Sequence, residues 1–193
     1  IEFAKLIKLK QPKLYDYVYR LRSKKVVQSE IDMVTRKPVL HVSMMYPATQ
    51  GCLALVMPIC QHPTNNNGII VYDLREDPAG WVGLDVAEIR CRIFTSKEDM
   101  SVGIERIPLK TLHINKCPIV SSPAVLSPER ADQYGLSLED CRKHWDQLQN
   151  DDEIVAKVRE VFSEDIGQDE IDPDFMIYSG GFFSDSDKSL MSM

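Results

Sequence analysis

From residue 38 to residue 120 the apolar residues recur with a period of two, whereas on either side they recur with the period of a helix. That switch restricts the chain to a mixed architecture. PVLHVSMMY (38–46), CLALVMPIC (52–60), GIIVYDL (68–74), SVGIERIPL (101–109) and TLHINKCPIV (111–120) are short, β-rich runs. Turn-forming residues separate them, most clearly HPTNNNG at 62–68. Five strands at this spacing predict a small antiparallel barrel. One helix interrupts them, LDVAEIRCRIF (84–94), with Asp85 as its cap. The predicted fold class is therefore α+β.

The flanks read as helices. Ala4, Leu6, Ile7 and Leu9 are spaced for an amphipathic helix that Pro12 ends. KLYDYVYRLRSKK (13–25) predicts a second helix with Leu14, Tyr17, Val18 and Leu21 on one stripe and a basic last turn. Beyond residue 126, SPERADQYG has Ser127 as cap, Pro128 at the first position and Gly135 as stop. SLEDCRKHWDQLQ and DDEIVAKVREVF follow as two more helices. GQDEIDPD (167–174) is expected to be a solvated loop, and the Gly180–Gly181 pair a tight turn. SDSDKSLMSM is expected to open a last helix with a Ser184–Asp187 capping box.

Charge is unevenly placed. The net formal charge is −6, composed of +6 over residues 1–50, −1 over 51–128 and −11 over 129–193. A basic first quarter against an acidic end is read either as solvated helix faces or as a polyanion-binding surface. No run of 18 apolar residues occurs, so no membrane-spanning helix is expected, and IEFAKLIKLK is not expected to be a signal peptide. Cysteines 52, 60, 91, 117 and 141 are odd in number and contain no CxxC pair, which predicts reduced thiols and a cytoplasmic protein.

HINKCP (113–118) sets an imidazole, an amide, an ammonium and a thiol side by side. A zinc site needs three or four ligands at matched spacing, and His113 and Cys117 supply two. A Cys–His nucleophile is possible in composition, but a small thiol beside a proline is the commoner occurrence. His41 and His62 read as strand-face and turn residues. No carboxylates cluster in a setting for two-metal chemistry, and no Gly-rich phosphate loop is present. The residues favour a binding domain over an enzyme: a platform for single-stranded nucleic acid, or a free-standing protein-interaction barrel with no nucleic-acid role.

FAKLIKLKQPKLYDY, KPVLHVSMM, HINKCP and FFSDSDK, in this order and at these separations, resemble the bacterial exodeoxyribonuclease I family across nearly the whole chain. The resemblance implies a three-part parent: a DEDD-type exonuclease domain, an SH3-like barrel and a C-terminal helical domain, forming a C-shaped clamp around single-stranded DNA. It implies a Mg-dependent enzyme that degrades single-stranded DNA from the 3′ end to mononucleotides in DNA repair and recombination. The family's early strand with its catalytic DxE and its HDAxxD segment are not found in these 193 residues, so no catalytic or metal-binding residue and no cofactor of its own is expected here. On this reading residues 1–11 are the last helix of the exonuclease domain. Residues 12–178 are the SH3-like domain with its helices, and 179–193 a linker and the start of the helical domain.

The same resemblance implies two partners and two groups of residues. Arg22, Lys24, Lys25, Lys97 and Lys116 are expected to meet DNA phosphates, with Tyr46 and His62 available for stacking on bases. For HINKCP, the alternative is that Cys117 and Ile114 are core and only Asn115 and Lys116 are exposed. Tyr17 and Lys37 are expected to bind the acidic, Phe-terminated tail of single-stranded-DNA-binding protein. Ser122, Ser127 and Gln149 stand where further polar or basic partners are expected. A monomer with no membrane contact is expected.

Overall fold

The computed structural model describes residues 2–96, 99–101, 103–163 and 189. Lys97, the Ser184–Asp187 capping box, the 167–174 loop, the Gly180–Gly181 pair and the expected boundary at 178/179 lie outside the described residues. Residues Ile1–Ser163 cluster as one unit and Glu164–Met193 as another.

Five antiparallel strands form one sheet in the order β4-β3-β2-β1-β5. They are β1 (Val39–Val42), β2 (Leu53–Gln61), β3 (Gly68–Asp73), β4 (Leu109–His113) and β5 (Ile119–Ser121). The ladder is open, with β4 and β5 at its edges. Both faces are covered. Leu55, Met57, Ile70, Tyr72 and Leu109 point into one apolar cluster with Ile89, Ile93, Leu148, Ile154 and Val158. Ala54, Val56, Ile69, Val71 and Leu112 point into the other, with Leu21, Val27 and Ile31. A strand buried on both sides needs no polar alternation, which is why LALVM is apolar throughout. Pro58 lies beside a register shift between Pro58 and Cys60, where a residue without an N–H is tolerated in a ladder.

The helices are α1 (Glu2–Lys10), α2 (Pro12–Arg20), α3 (Lys24–Glu30), α4 (Val86–Phe94), α5 (Pro128–Gln133), α6 (Leu138–Leu148) and α7 (Asp152–Ser163). The expected caps Asp85 and Ser127 are present, Ser127 accepting from Arg130 N–H; the structure adds Glu88, which completes a capping box with Asp85 on α4, and Ser137, which accepts from Asp140 N–H. Helices α4 to α7 contribute to the first cluster, and α3 to the second.

Two expectations need correction. The helix expected over 13–25 stops at Arg20; Leu21 and Ser23 donate to the carbonyls of Val18 and Arg20, and Ser23 adopts an extended conformation before α3. Packing decides this, because the turn lets Leu21, Val27 and Ile31 all reach the sheet. The last two strands are displaced. Residues 103–108 are irregular, with Gly103 at φ +87 and Pro108 unable to donate, so β4 begins only at Leu109. The run 111–120 is not one strand but the end of β4, a turn through Ile114–Lys116, and β5.

Leu148, at the end of α6, is buried in the first cluster, whereas Val125 is exposed. Leu148→Ala is expected to cost about 2–5 kcal/mol of unfolding free energy in urea titration. Val125→Ala is expected to stay within about 0.5 kcal/mol of the parent.

Candidate nucleic-acid and partner interface

Two surfaces collect the candidate residues. The first is formed by the 62–68 and 113–118 turns together with the start of α3. Gly68 pairs with His113 in the ladder, and Ile114 N–H donates to the Asn67 carbonyl at 2.9 Å, so the two turns lie side by side. Gly68 permits this approach: a Cβ there would sit 2.9 Å from His62 Cβ and 2.8 Å from Thr111 Cγ2. Lys24 Nζ donates to Asn67 Oδ1, bringing the first residue of α3 to the same place.

HINKCP is therefore a turn. Ile114 is its one core residue, while Asn115, Lys116 and Cys117 are exposed, Cys117 at φ +48. The expectation of a buried Cys117 is corrected; that of an exposed Lys116 holds. Among the described residues no three His, Cys, Asp or Glu side chains converge on a point that could hold a metal ion. Burial and the Lys116 ammonium hold the His113 pKa down, and burial and His113 do the same to His62. The three groups thus share one local field, positive at Lys116 and neutral at the imidazoles near pH 7.

The expected stacking residues are held by the protein itself. Tyr46 is 4 % exposed; its hydroxyl is 3.1 Å from His41 Nδ1 and the Lys110 ammonium lies 4.2 Å from its ring centre. It is a core residue with no ring face to offer a base. His62 is half-buried, its Nδ1 accepts from Thr64 and Asn65 N–H, and its ring meets Phe162 edge to face at 5.5 Å. Among the expected phosphate ligands, Lys24, Lys25 and Lys116 are exposed. Arg22 is also exposed, but its guanidinium lies 3.8 Å from the Tyr19 ring centre.

The second surface runs along the β1–β5 edge. The Tyr17 hydroxyl donates to the Val120 carbonyl at 2.7 Å, fastening α2 to β5. Burial, reinforced by the nearby Glu30 carboxylate, raises the Tyr17 pKa. Val120 pairs with His41, and Lys37 lies four residues before His41, roughly 13 Å along the chain if extended. Lys37 is exposed. The loop before it is tightly tied: Asp32 accepts from Val34 and Thr35 N–H at 2.9 Å each and from the Thr35 hydroxyl, and these bonds lower its pKa.

Arg36 was not among the expected site residues, yet it organises this surface. At φ +51 it turns the chain, and its carbonyl accepts from Trp145 Nε1 at 2.9 Å. Its Nη1 donates to the Gln149 carbonyl at 3.1 Å, and its Nη2 meets Asp152 Oδ1 at 2.6 Å. The Gln149 carbonyl is thereby held at the Arg36 guanidinium, while its side chain donates to Asp146 Oδ1 at 2.9 Å. Ser122 and Ser127 are occupied as caps, accepting from Ala124 and Arg130 N–H. Only the adjacency of two cations in RKP could have pointed to Arg36; its partners lie more than 100 residues away.

Residues 22–164 match the exonuclease I SH3-like domain. The chain belongs to that family. It is 35% identical over 196 residues to exodeoxyribonuclease I of Escherichia coli (strain K12), covering 100% of this chain and 40% of that protein. Among solved structures it is similar to E. coli exonuclease I in complex with a 5cy-dT13 oligonucleotide, with TM-score 0.86, 35% identity and coverage of 99% of this chain and 41% of the other. It is also similar to exonuclease I in a structure of SSB/exonuclease I with the inhibitor CFAM, with TM-score 0.81, 34% identity and coverage of 98% and 38%. The chain thus spans about two-fifths of the length of these relatives.

The Tyr46 neighbourhood makes stability depend on pH. Burial, with the Lys110 ammonium adding to it, depresses the His41 pKa from 6.5 to about 4. Between those values the unfolded chain binds a proton that the folded chain refuses. This contribution is complete above about pH 6.5 and is lost as pH falls toward 4. In urea titrations, the loss of stability from about pH 7.5 to about pH 5 should be about 2 kcal/mol greater for the parent than for His41→Gln.

Proposed function

We propose that the chain is the DNA-clamping and partner-docking portion of a Mg-dependent 3′→5′ exonuclease that degrades single-stranded DNA to mononucleotides in repair and recombination. The observation that carries this reading is the match of essentially the whole chain to an exonuclease I bound to an oligonucleotide. The nucleophile-activating metals are assigned to the parent's exonuclease domain, since the described residues here offer no donor set for them, and no chemical step is routed through this chain. The division into residues 1–11, 12–178 and 179–193, a monomeric state and a cytoplasmic location belong to the same proposal.

The first surface is assigned to the DNA backbone. Lys24 and Lys116 lie at adjacent turns, and ammonium groups attract phosphates without regard to sequence. The net charge of −6 opposes this, but the cations are grouped in the first quarter of the sequence and the acids lie mostly beyond residue 128. Each ammonium–phosphate contact on a single strand should contribute about 0.7 to the slope of log K against log salt. The double variant Lys24→Ala/Lys116→Ala is therefore expected to bind oligo-dT more weakly, with the slope reduced by about 1.4, in fluorescence anisotropy across a salt series. An unchanged slope would remove both residues from the DNA path.

The second surface is assigned to an acidic, Phe-terminated peptide such as the tail of single-stranded-DNA-binding protein, with Lys37 supplying charge and Tyr17 apolar surface. An exposed ion pair contributes up to about 1 kcal/mol, or about fivefold in affinity. Lys37→Ala is expected to weaken binding of such a peptide by up to about that factor, and Lys37→Glu by more, since it substitutes repulsion for attraction. Calorimetric titration of both variants checks this; equal affinities for parent and Lys37→Glu would exclude the docking role.

A further inference from the structure

Two imidazoles lie at the first surface, and the structure commits only one of them. His62 Nδ1 accepts from Thr64 N–H at 3.3 Å and from Asn65 N–H at 3.2 Å, which closes the 62–68 turn. A proton on Nδ1 would cost both hydrogen bonds, because a protonated imidazole only donates. From α7 the Phe162 ring meets His62 edge to face. His113 is placed differently. It ends β4 opposite Gly68, its carbonyl accepts from Lys116 N–H at 3.2 Å, and it is half-buried. Burial and the Lys116 ammonium act on its titration, and no hydrogen bond to the ring does.

The surroundings of His113 are one-sided in charge. Lys116 acts on it from its own turn, and His113 and His62 lie within electrostatic range across the ladder. Gly68 brings no side chain from β3, and Lys24 of α3 stands at Asn67 in the neighbouring turn. Segments 20–28, 61–68 and 111–118 contain no Asp or Glu, although the chain has 29 of them. Cations grouped without a carboxylate suit an anion supplied from outside. Such an anion changes the balance at His113. The ammonium and burial keep the free ring neutral near pH 7, whereas a phosphate beside it favours the charged form. The protonated ring then carries a donor on each nitrogen, so that a charge-assisted bond to a phosphate oxygen adds to that of Lys116.

We propose that His113 is a further phosphate ligand of the first surface, one that takes up a proton from solvent as the strand binds, so that affinity for single-stranded DNA rises as pH falls. This rests on the assignment of that surface to the DNA backbone. The sign follows from linkage: the bound ring titrates at higher pH than the free ring, so the complex holds more protons than the free protein and is favoured by acid. His62 is not the group that responds, because its Nδ1 is already engaged in the turn.

The test uses oligo-dT, whose bases and phosphodiesters do not titrate in the range concerned, and the whole chain. Fluorescence anisotropy is measured across a salt series at about pH 7.5 and about pH 5.5. On acidification the slope of log K against log salt is expected to steepen by about 0.7, the share of one further phosphate on a single strand. Affinity is expected to rise by up to about fivefold, the range of an exposed ion pair. His113→Gln is expected to lose this increment, with thermal melts at each pH establishing that parent and variant are folded. A second reading uses the parent alone: in NMR titrations oligo-dT should raise the pH at which the His113 ring resonances shift, and this reports even if His113→Gln does not fold. An increment absent from the parent or surviving in His113→Gln, or a His113 ring whose titration the oligonucleotide leaves unmoved, overturns the proposal. If Lys24→Ala/Lys116→Ala lowers the slope at about pH 7.5 while acidification adds nothing in the parent, this inference fails and the assignment of the surface to DNA stands. If the parent binds no oligo-dT at either pH, both fail.

Discussion

Strand β2 lies at the middle of the sheet, paired on both edges and covered on both faces, and the rest of the structure depends on that burial. A central strand can bury its backbone only if each edge is paired, and β1 and β3 supply the pairing. Its side chains then need two apolar layers: the segment before β1 supplies one, and α4, inserted between β3 and β4, supplies the other together with the helices after β5. Helices from residues 86–163 cover one face, and the segment from Leu21 to Ile31 covers the other. The order of elements along the chain follows from this need. The sheet-forming segments are preceded by one helical region, interrupted by α4 and followed by another, and the two faces draw on different ones of these.

The same arrangement places the two surfaces. With both faces covered, what remains accessible is the ends of the strands and the edges of the sheet. The 62–68 and 113–118 turns lie at one end, held together by the β3–β4 ladder and the Ile114–Asn67 hydrogen bond. The β1–β5 edge lies elsewhere, where β5 is short, Tyr17 bonds the Val120 carbonyl and Arg36 ties the segment before β1 to the α6–α7 junction. Of the cations in residues 1–50, Lys24 lies at the first and Arg36 and Lys37 at the second.

What the sequence made legible was local. Strands β1 to β3, helix α4 with its Asp85 cap, and the Ser127 cap all follow from spacing and turn chemistry within a dozen residues. What it concealed was set by contacts at long range. Nothing in KLYDYVYRLRSKK marks the turn at residues 21–23, because the break serves the packing of Leu21 and Val27 against the sheet. SVGIERIPL alternates like a strand, yet Gly103 and Pro108 withdraw most of it from the ladder. Tyr46 and His62 carry rings that could stack on bases, but whether a ring has a free face depends on neighbours such as Lys110 and Phe162, which are far away in sequence. Lys116 was readable as exposed because a turn tip has few neighbours to bury it.

The residues at the second surface also hold the fold together, and this limits how the surface can vary. Tyr17 uses its hydroxyl to fasten α2 to β5, and Arg36 closes the junction of α6 and α7 with its guanidinium while its carbonyl orients Trp145. Removing either side chain would leave a partly buried acceptor unpaired, at a cost of about 1–3 kcal/mol, before any effect on a ligand. Lys37 and Asp152 stand apart, since both are exposed and neither fills the core. Substitution at this surface is therefore better tolerated at Lys37 and Asp152 than at the anchors beside them.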